Sequence, residues 1–194
     1  MKNTNRAILV GCCMAFGPGY ANAAELPFKG TFSGTNVATS LDLNGDGQPA
    51  DLATFAGKTS LGRVTVQGVF DNQDVFDVEG CPEGTSVKQE LVQRRDAIRF
   101  ANGDLLFTDF SSQTTCVLED LTITVEGAGN FNGGTGKFAG ATGFFEVSGT
   151  GSVLIPFVFV DFTIDLEGTL ILSESQSENP DVDETLSYDE GQEF

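Results

Sequence analysis

A glycine-rich stretch between residues 127 and 151 constrains the fold of this chain more than any other feature. Glycine reaches backbone conformations with positive φ that other residues avoid, at an entropic cost. Phenylalanines interrupt the stretch, and each can bury a large apolar area. A flexible linker would be rich in serine and poor in phenylalanine. The stretch therefore predicts a tight, aromatic-pinned connection between β-strands, and its structural glycines are Gly133, Gly134, Gly136, Gly140 and Gly143.

The same glycines do not make a phosphate-binding loop. A P-loop needs Ser or Thr after its Gly-Lys pair, whereas Phe138 follows Gly136-Lys137. A loose dinucleotide fingerprint is present, but such a fingerprint must open a long helix. Gly140 and Gly143 would interrupt that helix within a turn, so we exclude nucleotide binding.

Short runs of alternating apolar and polar residues occupy most of the remaining chain. Residues 121–126 place Leu121, Ile123 and Val125 on one face, as a strand with one buried side should. Asn102-Gly103 marks a hairpin turn, and residues 71–86 form a polar loop. About eight or nine strand candidates and no long helical pattern predict an all-β barrel or sandwich spanning residues 24–172, enough for one core.

The motif from Gly133 to Gly143, followed by an alternating strand that ends Gly-Thr-Gly151, resembles the bacterial relatives of allene oxide cyclase and dirigent proteins. The late strand from Phe162 to Leu170 is similar to the closing strand of that family. The resemblance implies an eight-stranded antiparallel β-barrel, often a homo-oligomer, with a ligand cavity in some members. Because the motif is a structural connector there, the resemblance bears on the fold more than on activity.

The N-terminus has the pattern of a secretory signal peptide. Lys2 and Arg6 precede an apolar segment over residues 7–16, and Ala21-Asn22-Ala23 offers a cleavage site. The apolar segment is too short to span a bilayer. We therefore predict a signal peptide over residues 1–23 and export to the periplasm or the exterior. A lipobox-like sequence at Cys12 is the less favoured alternative.

The charge balance excludes several partners. The formal net charge is −18, and removal of residues 1–23 takes away two positive charges and no acids, which leaves −20. Nucleic acid and anionic lipid would both be repelled by such a surface. We favour solubility as the interpretation of this negative charge, and a more specific interpretation is that the protein binds cations. The tail over residues 173–194 carries eight acids and no base, which predicts disorder.

Two cysteines, Cys81 and Cys116, remain after the predicted cleavage. An even pair in an exported chain predicts a disulfide, which should stabilise the fold by roughly 3–4 kcal/mol. Two free buried thiols are the alternative. A zinc site is poorly supported because the chain contains no histidine.

An acidic loop over residues 42–51 has the spacing of a calcium-binding loop. Three ligand residues alternate along it, a fourth group is a backbone carbonyl and a further carboxylate closes the shell; they are Asp42, Asn44, Asp46, Gln48 and Asp51. Many flexible oxygen ligands suit Ca²⁺ better than Mg²⁺. The loop is not an EF-hand, because Ala53 stands where the closing Glu is required. A plain hairpin turn is the alternative.

Without histidine, the chain lacks the pairs that activate serine or cysteine nucleophiles. Glu90, Arg94 and Arg99 are candidates for groups that point into a barrel, although charges on strands usually lie on the solvated face. We therefore predict no catalytic residues. The sequence favours an exported, calcium-stabilised, non-catalytic barrel that binds an apolar small ligand or a protein partner. The resemblance implies the alternative, a cyclase or isomerase that confines a lipid-derived substrate. The many phenylalanines favour a barrel whose interior is filled by its own side chains.

Overall fold

The computed structural model describes residues 23–43, 45, 47, 49–155 and 159–173. Eight antiparallel strands pair in chain order, and β1 also pairs with β8, so the sheet closes on itself. The strands are β1 Ala24–Ala38, β2 Asp51–Thr59, β3 Gly62–Val75, β4 Thr85–Phe100, β5 Leu105–Leu118, β6 Thr122–Gly134, β7 Thr142–Ile155 and β8 Phe159–Leu172. The predicted all-β, eight-stranded antiparallel barrel is confirmed.

The ends of the chain were predicted to lie outside the barrel. The signal peptide up to Asn22, the lipobox-like Cys12 and the acidic tail from residue 174 fall outside the described residues, so these three predictions stand as predictions. Within the described ranges, no helix has the length and apolar character needed to cross a membrane.

Apolar side chains from all eight strands fill the barrel because alternate residues point to its interior. Aromatic rings dominate the packing. Phe131 contacts both Phe28 and Phe145, each at 5.1 Å between ring centroids. Such edge-on and tilted pairs are favourable beyond their buried area, so the rings also fix the relative positions of the strands that carry them.

The two ends of the barrel differ. At the turn end, short connections join β2 to β3, β4 to β5 and β6 to β7. The last of these is the glycine-rich connector, whose short 3-10 helix over Gly136–Phe138 inserts the fully buried Phe138 against Phe100, 4.5 Å between centroids. At the loop end lie the connections from β1 to β2, β3 to β4, β5 to β6 and β7 to β8. The connector therefore closes the turn end of the barrel with the side chain of Phe138.

Two glycines of the connector show why the motif needs this residue. Gly143 has φ +132, and a Cβ there would overlap the carbonyl oxygen of Thr169 on β8. Gly136 has φ +54, and its Cβ would overlap the carboxylate of Asp104. Side chains other than hydrogen would meet both a strained backbone and a steric clash. The close packing of the connector on β8 and on the β4–β5 turn accounts for the motif.

The predicted polar loop over residues 71–86 is shorter in the structure. β3 continues to Val75 and β4 begins at Thr85. The register between these strands shifts between Asp71 and Asn72, which is a β-bulge. Polar side chains beyond the bulge still pair across the strands, as in the 2.9 Å hydrogen bond from Gln89 to Asp74. The sequence was interpreted as a loop because the apolar alternation ends where the bulge begins.

The predicted disulfide is confirmed. Cys81 in the β3–β4 connection bonds to Cys116 on β5, with the two Cα atoms 5.9 Å apart. The bond anchors a long connection to the barrel wall, and its presence fits an oxidising compartment.

Candidate functional site

A charged cluster lies inside the barrel, where the sequence predicted apolar residues. Arg94 and Asp96 are neighbours on the inward face of β4, with side chains only 5% exposed. The Arg94 Nε donates to both carboxylate oxygens of Asp96 at 3.1 Å, and Nη2 donates to Oδ2 at 2.8 Å. The Nη1 group donates to Gln113 Oε1 on β5 at 2.8 Å. The pair is therefore buried, bonded at several points and neutral as a unit.

Aromatic rings surround the guanidinium. Its central carbon lies 4.3 Å from the ring centroid of Phe110 and 5.3 Å from that of Phe70. Both distances are within the range of a cation–π interaction, which grows stronger away from water. The positive charge of Arg94 is thus stabilised by Asp96, by Gln113 and by the faces of two aromatic rings.

The expectation that strand charges face solvent is wrong for Arg94 and holds for the other two candidates. Arg99 is exposed, and Glu90 is paired with Lys88 at 3.2 Å with 45% of its side chain exposed. Gly68 on β3 stands directly opposite Asp96. A Cβ at Gly68 would overlap the Asp96 carboxylate, so this glycine makes room for the buried pair.

The space beside the pair is small. A cavity of about 30 Å³ is lined by the Arg94–Asp96 pair and by apolar side chains such as Phe32, Phe55 and Ile164. That volume is above the roughly 10–15 Å³ that a cavity needs to hold one water molecule. Pockets for drug-sized ligands are larger, about 300–1,000 Å³. The cavity therefore has room for a water-sized group beside the ion pair and none for a lipid-sized molecule.

A larger depression of about 900 Å³ lies across the outer faces of β1, β2 and β6 to β8. Its lining includes exposed charges of both signs, among them Lys29 and Glu167, which form a 2.9 Å ion pair. Ligand pockets are concave and mostly apolar. Despite its size, this open and polar surface lacks the character of a small-molecule site.

The acidic loop is described in part. Asp42 accepts hydrogen bonds from the backbone N–H groups of Gly45 at 2.6 Å and Gly47 at 3.0 Å, and both glycines have positive φ. The loop thus curls around the Asp42 carboxylate. Asn44, Asp46 and Gln48 lie outside the described residues, and among the residues that are described no group of three or more acids or cysteines forms a metal-binding cluster.

Asp51, the predicted closing ligand, begins β2 beside a second carboxylate that the sequence did not indicate. Burial raises the pKa of Asp51 above its usual value, and the negative charge of Asp71 raises that pKa further. Asp71 is itself 1% exposed. Two carboxylates close together in a partly dry setting favour either a shared proton or a cation. Sequence reasoning missed Asp71 because the neighbour of Asp51 depends on the β2–β3 register.

No protein-family model matches the chain, and no curated protein matches it. One solved structure to which it is similar is a pterocarpan synthase dirigent protein, with a TM-score of 0.41 and 12% sequence identity. The likeness covers 78% of this chain and 85% of the dirigent chain. The similar structure is a dirigent protein and not a bacterial allene oxide cyclase, and a likeness at this level carries no argument about function.

Proposed function

We propose that the protein is an exported, non-catalytic β-barrel that binds a protein partner through its surface and is stabilised by calcium. The observation that carries the proposal is the packing of the interior, where aromatic and branched side chains leave a cavity of about 30 Å³. A barrel filled by its own side chains has no room for an apolar ligand, which leaves the outer surface for recognition. The disulfide supports export.

The alternative is a cyclase or isomerase that works by confinement. The buried Arg94–Asp96 pair, set among aromatic rings, favours it, because an inward charge beside an apolar wall is what such an enzyme would use. Its weakness is volume, since a fatty-acid-derived substrate needs roughly ten times the observed space. We therefore rank it second.

A titration with a fluorescent fatty acid separates the two functions. The filled barrel should show no saturable one-to-one binding. Saturable binding that is lost when Val66→Trp narrows the interior, and kept when the exposed Thr65→Trp is made next to it, would contradict the proposal and favour the enzyme. Val66 lines the cavity, which makes the two variants a matched pair.

The calcium site is proposed on the spacing of the acidic loop. Two observations support it: the loop curls around Asp42, and burial together with the negative charge of Asp71 raises the pKa of Asp51. A divalent cation would compensate carboxylates gathered at this end of β2. Saturating Ca²⁺ should then raise the melting temperature by mass action.

The test is a melting curve with and without Ca²⁺. The unmutated protein should melt at a higher temperature in Ca²⁺, and Asp46→Ala should remove that rise. Asp161→Ala, which removes an exposed acid on β8 outside the loop, should keep it. Melting that does not respond to Ca²⁺ in the unmutated protein would end the calcium proposal.

A further inference from the structure

Large apolar side chains are exposed together at the loop end of the barrel. Leu121 in the β5–β6 turn is 48% exposed, and Leu154 and Ile155 at the end of β7 are 56% and 54% exposed. The two segments touch, since the Val153 N–H donates to the Leu121 carbonyl at 3.0 Å. We call these three residues the apolar patch. On the same end, the β3–β4 connection exposes Phe76 completely.

The apolar patch contributes little to the stability of the barrel. Leu121 has φ +67 and is the single non-glycine residue with positive φ in the described part of the chain. That conformation is unfavourable for leucine, and glycine or asparagine would suit the turn better. A strained leucine whose side chain points largely to solvent contributes little to folding. Exposed apolar side chains on two adjoining segments are typical of an interaction surface.

Acidic residues lie on the Leu121 side of the patch. Glu119 and Asp120 belong to the same turn as Leu121, and the Glu119 N–H donates to the Gly84 carbonyl at 2.9 Å, which brings Glu83 close. Lys88 is the one basic residue among the described residues of the loop end. Its ammonium group is already bonded to the Glu90 carboxylate and to the Glu79 carbonyl. The rim of the patch is therefore negative.

We infer that the apolar patch docks a cationic polypeptide, one that presents an apolar side chain among lysine or arginine side chains. The inference rests on the proposed function, since it names the surface and the kind of partner. Charge complementarity selects this occupant, because complementary rims steer association and exclude like-charged partners. A second copy would bring an equally acidic rim and, without residues 1–23, a net charge of −20, and an anionic lipid surface would be repelled in the same way.

Isothermal titration calorimetry with a synthetic peptide of alternating lysine and leucine tests the inference. The peptide should bind, binding should weaken with added salt, and the same peptide with glutamate in place of lysine should not bind. The double variant Leu154→Ser, Ile155→Ser should weaken binding by about tenfold or more. Phe144→Ser removes a side chain that is 58% exposed on β7 at the turn end, and it should leave affinity unchanged.

Several results would overturn the inference. Equal loss of affinity in the Phe144 variant would mean that the peptide binds without regard to the patch. Sedimentation of the protein as a dimer that the double variant abolishes would assign the patch to a second copy. Co-sedimentation with phosphatidylcholine vesicles, lost in the same variant, would assign it to a membrane. The fatty-acid titration reports on the interior alone, so a failure of the filled-barrel proposal would remain distinct from these outcomes.

Discussion

Removing Asp96 should destabilise the barrel far more than removing an acid from its surface. Asp96→Ala deletes the acceptor of the Nε and Nη2 groups of Arg94 and leaves a guanidinium that is 5% exposed. Breaking a buried pair from one side costs about 3–5 kcal/mol. Because Gln113 and the ring of Phe110 still contact Arg94, we expect a loss of unfolding free energy at the low end of this range, about 3 kcal/mol. At about 2–4 °C per kcal/mol for a chain of this size, the melting temperature should fall by roughly 6–12 °C.

The assay is urea unfolding followed by far-ultraviolet circular dichroism, with midpoint and slope compared between variants. Asp165→Ala is the matched control, because this exposed carboxylate accepts a 2.6 Å hydrogen bond from Thr31 and its loss should cost about 1 kcal/mol or less. Adding Arg94→Met to Asp96→Ala should restore much of the loss, since no unpaired charge then remains. A cost below about 1 kcal/mol for Asp96→Ala, or a further loss in the double variant, would show that Asp96 does not compensate the buried charge of Arg94.

Three further predictions concern the connector, the acidic loop and the disulfide. Gly143→Ala should lower the unfolding free energy by about 2 kcal/mol or more in the same urea assay, whereas Gly103→Ala, with φ +92 and no atom within 4 Å of its Cβ, should cost about 1 kcal/mol. Burial and a neighbouring carboxylate raise the pKa of Asp51, so without calcium its ionisation should reduce stability as pH rises from 3.8 through the raised pKa. Asp51→Asn should therefore raise the melting temperature at pH 7 in a chelator and have little effect at pH 3; a loss of stability in chelator at pH 7 would contradict this. Cys81→Ser with Cys116→Ser should lower the unfolding free energy by roughly 3–4 kcal/mol, and an unchanged urea midpoint would contradict it.

The barrel could be predicted from the sequence because its physical signals are local. Alternating side chains predict strands, Asn102-Gly103 predicts a tight turn, and the turn forms between β4 and β5. The phenylalanines predicted a filled interior, and the small size of the cavity agrees with that expectation. Closure between β1 and β8 came from the family resemblance, since no local pattern specifies which strands meet across the whole chain.

The buried pair could have been predicted and was missed. Phe100 and Ile98 are inward on β4, and continuing the two-residue period reaches Asp96 and then Arg94. The prediction gave more weight to the general tendency of charged side chains to face solvent than to this periodicity. Gly68 was the second signal, because a glycine within a regular strand often marks a close approach from a neighbour. Its reason is the carboxylate opposite, which only the register identifies.

The surroundings of the acidic loop could not be predicted from spacing alone. The spacing selects Asp42 and the residues that follow, but Asp71 comes close to Asp51 only because β3 pairs with β2 and sets Phe70, its chain neighbour, opposite Asp51. The apolar patch could not be predicted either, because the segments that carry Leu121 and Ile155 are separated along the chain and come together only where β6 pairs with β7. Features that depend on strand register require the fold.

Diffraction from a crystal under xenon pressure tests the central claim, that the barrel is filled and recognises its partner from outside. Xenon binds dry apolar cavities of about 150 Å³, well above the cavity beside Arg94 and Asp96. A filled barrel should hold no ordered xenon between Phe32, Phe55 and Ile164. Several xenon atoms stacked along the barrel axis would contradict it, because they would reveal an interior with room for a lipid-sized substrate.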